Sequence, residues 1–134
     1  MELHLKIIGL LLMSLAFVHV IFPRYFEWKE ELKSLSLINR EMTYVHTFFI
    51  ALIVLMFGVL SFFYSNELVH TSFGKVISLG MGIFWSFRLI AQFFGYSAEN
   101  WKGKRFETLV HVVFTLLWVY MIVIYTSIYF HRYF

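Results

Sequence analysis

The chain has no cysteine, no aspartate and a single proline, and only 14% of its 134 residues are charged. Without cysteine there is no disulfide framework, no thiolate metal site and no cysteine nucleophile. Without aspartate, Asp-dependent catalytic schemes are excluded, and neither a Gly-rich phosphate loop nor a G-x-S-x-G elbow is present. The scarcity of charge also rules out disorder, which requires low hydrophobicity and high charge. The eleven Lys and Arg give a net charge of +3 but form no concentrated basic stripe, so nucleic acid is not the expected partner.

What the chain has in abundance is apolar surface. Sixty per cent of it is hydrophobic and 22% aromatic, including 17 Phe. A water-soluble domain of this size cannot bury that much, because small domains keep a large surface relative to their volume. The class left is a single membrane domain spanning residues 1–134, with the lipid bilayer as its first partner.

Four hydrophobic runs stand out, at about 5–22, 43–64, 76–95 and 108–130. At 1.5 Å per residue each reaches roughly 27–35 Å, the thickness of a bilayer core. Backbone groups in lipid must be satisfied within their own segment, so each run should be a helix. Tyr25, Trp28, Tyr44, Tyr64, Tyr96, Trp101, Tyr129 and Tyr133 crowd the span ends, as interfacial aromatic belts do. The first run ends His19-Val-Ile-Phe-Pro, with no small-x-small cleavage site after it, so it reads as a retained helix and not a signal peptide. The expected fold is an all-α, up-down-up-down integral membrane four-helix bundle.

Charge sets the expected orientation. Arg24, Lys29, Lys33, Arg40, Lys102, Lys104 and Arg105 fall on one face, against Lys6, Lys75 and Arg132 on the other. The positive-inside rule then puts the two long loops in the cytoplasm and both termini on the non-cytoplasmic side of the inner (plasma) membrane. Within the first loop, Trp28, Leu32, Leu35 and Ile38 recur at helical spacing after Pro23. This predicts an amphipathic interfacial helix over about 24–38, begun by the proline.

A shift of 65 residues lays the second span on the fourth. Arg40, Thr43, Val45, His46, Phe49, Leu52, Val54 and Met56 meet Arg105, Thr108, Val110, His111, Phe114, Leu117, Val119 and Met121. Hydrophobic composition alone does not readily align Arg, Thr and His within seven residues, so a duplicated two-helix unit is expected. The two copies would be related by an axis along the membrane normal. His46 and His111 should then face each other from diagonal helices at equal depth.

The other polar residues of the spans sit at that same end. His19 lies about 6 Å inside Pro23, and Arg88 about 10 Å inside Gly95 with Gln92 one turn nearer the surface. Arg88 and Gln92, like Glu107 and His111, are spaced i,i+4 and share a helix face. Ionisable groups within spans are costly and usually face a bundle interior or an aqueous cavity. His4, His70 and His131 lie outside the spans and read as solvated.

Three chemistries fit this layer. In the first, His46 and His111 are axial ligands of a b-type haem, with Arg88 on a propionate, His19 nearby, and Gly80 and Gly82 making room for the ring. In the second, His19, His46 and His111 bind Zn, Cu or Fe, with Glu107 or Glu41 as a further ligand or base. In the third, Arg88, Gln92, Tyr44 and a histidine hold a quinone or an anionic lipid headgroup. The leading expectation is a small membrane protein that binds haem b or a metal between the second and fourth spans and acts as a membrane oxidoreductase or metal-dependent enzyme. The reading from another class is a non-enzymatic accessory subunit of a membrane complex or homo-oligomer, whose histidines hydrogen-bond across helices.

Overall fold

The structure, a computed structural model, describes residues 1–130. His131, Arg132 and Tyr133, which entered the readings of solvated histidines, face charge and aromatic belt, lie outside the described residues. The described residues are predominantly helical and contain no strand. Four helices are long and apolar enough to cross a bilayer: α1 (Glu2–Tyr25), α3 (Leu37–Phe63), α5 (Ser72–Phe94) and α6 (Arg105–Tyr129). Between them lie the single turn α2 (Trp28–Glu31), the short α4 (Ser65–His70) and a 3-10 turn, Ala98–Asn100. The protein is therefore an all-α integral membrane protein with four spans.

Each span starts or stops for a local reason. Ser36 caps α3 by accepting from Asn39 N, and Thr71 caps α5 by accepting from Gly74 N at 2.9 Å. These caps satisfy backbone N–H groups that a helix start leaves unpaired. The turn before α6 passes through Gly103 at φ +76°, a conformation that L side chains rarely adopt.

The first loop departs from the expectation of one amphipathic helix over 24–38. Pro23 does not begin a helix; it lies in the last turn of α1, which runs on to Tyr25. The chain then breaks at Glu27, held in the left-handed conformation at φ 53°. Only one helical turn follows, Trp28–Glu31, and Leu37 and Ile38 already belong to α3. A left-handed residue cannot continue a right-handed helix, so the apolar periodicity is shared among three pieces.

The chain divides into two compact units. The N-terminal unit covers Leu3–Ser65, and the C-terminal unit covers residues from Asn66 onward together with Met1 and Glu2. In the N-terminal unit α1 and α3 approach backbone to backbone, antiparallel, at two glycines. A Cβ on Gly9 would stand 2.8 Å from Gly58 O, and one on Gly58 would stand 2.9 Å from Met13 N. Small residues at such crossings let helices pack in lipid, where no hydrophobic force drives them together.

The C-terminal unit packs differently. α5 and α6 run antiparallel around an aromatic seam in which Trp85 of α5 and Trp118 of α6 stack, 5.0 Å apart and 8° from parallel. Both are buried, as are Met81, Met121, Tyr125 and Ile128. Gly82 faces Thr126, whose Cγ2 would lie 2.8 Å from an added Cβ, so this glycine admits a neighbouring helix and not a flat ring. At the other end Glu2 Oε1 accepts from Asn66 Nδ2 at 3.2 Å and lies 3.1 Å from His70 Nε2. His70 is exposed, as expected, yet it is tied to the start of the chain.

Candidate functional site

α5 is the least apolar of the four spans, because Arg88 and Gln92 interrupt it one turn apart. Their spacing puts them on one face, and Arg88 donates from Nη1 to Gln92 Oε1 at 3.1 Å. Gln92, which is buried, reaches across to α6, where its Nε2 lies 3.0 Å from His111 Nδ1. Three residues anticipated as one polar layer thus form one hydrogen-bonded chain linking two helices.

Aromatic rings enclose that chain. The Arg88 guanidinium carbon sits 5.0 Å from the centroid of the Trp118 ring and 5.6 Å from that of Tyr96. Such contacts stabilise a cation through the negative face of the ring, most when water is scarce. Trp118 is itself held by Trp85 and by Phe114, 5.6 Å away. The His111 ring stacks on Trp101 at 3.9 Å and 16°, and meets Phe93 edge-on at 5.8 Å.

Trp101 reaches His111 because the connector after α5 folds back. Trp101 N bonds Ala98 O at 3.1 Å, Asn100 Nδ2 donates to Ser97 O, and Thr108 Oγ1 donates to Trp101 O at 2.6 Å. Among the described residues no carboxylate lies within 4.0 Å of Arg88. The indole N–H of Trp118 is buried and has no hydrogen-bond partner among the described residues.

The remaining candidates are placed otherwise. Glu107 shares a face with His111 by spacing, but it is exposed in the first turn of α6, and His111 pairs with α5 instead. In the N-terminal unit, His19 donates from Nδ1 to Leu15 O of its own helix at 2.8 Å and rests on Phe22. His46 is exposed on α3, as is Glu41, and Tyr44 packs against Trp28 at 5.5 Å. Among the described residues no three or more His or Glu side chains gather into a group able to hold a metal ion. Gly80 has open space beside it, whereas Gly82 is taken by helix packing.

Sequence reasoning missed the tryptophans. Trp101 was read only as part of the interfacial belt, and Trp85 and Trp118 were not singled out. The signal was there: Trp85 lies three residues before Arg88 and Trp118 seven after His111, both helical spacings that share the polar face.

These features define an integral membrane protein of four spans with one polar, aromatic-lined constellation in its C-terminal unit. No protein family, curated protein or solved structure matches the chain.

Proposed function

We propose that the protein binds a membrane-soluble ligand by its anionic head, at Arg88 and the Gln92–His111 chain beside it. The observation that supports this reading is Arg88 itself. It is a permanent charge within a span, clasped by two rings and an amide, with no carboxylate within 4.0 Å among the described residues. An arginine that is fixed in place yet unneutralised, with most of its donors unused, is suited to an anion. Its depth, about 10 Å from the span end, matches a head just below the interface with its tail in lipid.

A lipid headgroup and a haem propionate both meet this description. Extraction and mass spectrometry of the purified protein, with an absorption spectrum of the same sample, tell them apart. The expected result is a co-purifying anionic amphiphile that is lost in Arg88→Gln and kept in His46→Ala. Equal retention in the two variants overturns the reading. A Soret band lost in both His46→Ala and His111→Ala would establish the haem reading with two axial histidines, and stoichiometric Zn, Cu or Fe would establish the metal one.

The orientation belongs to the same proposal, with both long loops in the cytoplasm. The natural absence of cysteine makes the test direct. Lys33→Cys and Lys104→Cys should be shielded from an impermeant thiol reagent in intact cells, while Asn66→Cys is labelled; the opposite pattern reverses the topology.

A further inference from the structure

The hydrogen-bond polarity of the Arg88 chain narrows what its ligand is, given the anion site proposed above. Arg88 offers five N–H donors and no acceptor. One goes to Gln92 Oε1. That contact orients the amide, since turning it over would set its NH2 against the guanidinium. Gln92 Nε2, which can only donate, therefore faces His111 Nδ1, and Nδ1 accepts. In a neutral imidazole the proton is then on Nε2.

Both acceptors of the chain are thus engaged within it, His111 Nδ1 by its one lone pair and Gln92 Oε1 by one of its two. Apart from the second lone pair of that amide oxygen, the groups it leaves open are donors: the other N–H groups of Arg88, the second N–H of Gln92 and the Nε2–H of His111. The Trp118 indole, whose ring lies under the guanidinium, adds a buried N–H with no partner among the described residues. One formal positive charge accompanies them. A head that brings its own O–H or N–H sets donor against donor, and a buried donor left unpaired is costly. A head with two negative charges finds no second cation.

We propose that the site selects a singly charged, fully deprotonated acid head that carries only acceptors, and discriminates against heads bearing a hydroxyl or amino donor. Carboxylates, sulfonates and phosphodiesters belong to the first class. Alcohols, quinols, amines and protonated phosphonates belong to the second.

Two probes isolate the distinction. Hexadecanesulfonate and hexadecylphosphonate share one chain and nearly one head shape. At about pH 6.5 both are chiefly monoanions, but the phosphonate keeps one P–OH. The protein is reconstituted in phosphatidylcholine nanodiscs, and binding of radiolabelled hexadecanesulfonate is measured in competition. The expected result is saturable binding that the phosphonate displaces on the order of tenfold more weakly than unlabelled sulfonate, the scale of one mismatched buried polar group.

Absence of saturable sulfonate binding overturns the anion site itself. Binding with equal displacement by sulfonate and phosphonate leaves that site standing and overturns the donor-only assignment. Palmitate and phosphatidylmethanol, tested as further competitors, separate a carboxylate source from a phosphodiester one, and displacement by neither overturns the assignment. A second readout needs no ligand. With 15N-labelled histidine at about pH 8, the resonances lost in His111→Gln should report an unprotonated Nδ1 and a protonated Nε2; the reverse tautomer overturns the inference.

Discussion

The two units carry the same histidine at the same place in a repeated segment and treat it in opposite ways. In the C-terminal unit His111 is bonded to Gln92 and covered by Trp101. In the N-terminal unit its counterpart His46 is exposed and, among the described residues, has no hydrogen-bond or ring partner. The cause lies in residues that the match does not share. At the register of 65 residues, Trp85, Arg88, Gln92, Trp101 and Trp118 correspond to Val20, Pro23, Glu27, Ser36 and Ile53. Each of these five is one the other unit lacks at the matched place. The matched positions alone do not build the polar chain; it rests on residues that the match does not share.

Packing separates the units in the same way. The N-terminal hairpin closes on Gly9 and Gly58, backbone against backbone. The C-terminal hairpin closes on stacked indoles, which leaves its polar chain walled by rings. Substitutions at matched positions test this contrast. The largest effect is expected for Trp118→Ala, about 3 kcal/mol, the low end for truncating a buried aromatic, since lipid solvates part of the freed surface. Its repeat partner Ile53→Ala should cost about 1 kcal/mol, being only half-buried. SDS-induced unfolding followed by far-UV circular dichroism compares them; equal costs would dissolve the distinction between the seams.

Gly58→Val comes next, at about 2 kcal/mol, because the added atoms meet Met13 and the backbone of α1. The same unfolding assay checks it, and a neutral result would show that the hairpin can spread without loss. Third is Gln92→Leu, about 1.5 kcal/mol, since it removes the acceptor of a charged donor and the partner of His111. His46→Leu should stay within about 0.5 kcal/mol. If the two match, the chain from Arg88 to His111 adds nothing to stability. The smallest effect is that of Gly80→Ala, where an added Cβ meets nothing within 4 Å. It should stabilise by about 0.5 kcal/mol through helix propensity, seen as a small upward shift in thermal midpoint.

Much of the site could be read along the chain, but its pairing could not. Arg88 and Gln92 are partners in sequence and in space, because i,i+4 spacing on a helix enforces proximity. The same rule pairs Glu107 with His111, and there it fails: the carboxylate stays exposed and the imidazole bonds across to α5. Spacing states which groups can meet on one helix, whereas an available partner on the next helix decides which do. The first loop teaches a related point. Its apolar period from Trp28 to Ile38 is genuine, but periodicity is blind to one residue in the left-handed region, and Glu27 breaks the segment.

What the sequence determined by itself is the class of the protein, its four spans and the end at which polar groups collect. Those follow from composition and from the rule that backbone in lipid must satisfy its own hydrogen bonds, both properties of a linear chain. What only the tertiary structure decided is that one histidine of the repeated pair is built into a site within its own unit, through Gln92 and Trp101. That choice depends on directional contacts between helices and on a connector folding back, and neither leaves a period in the sequence.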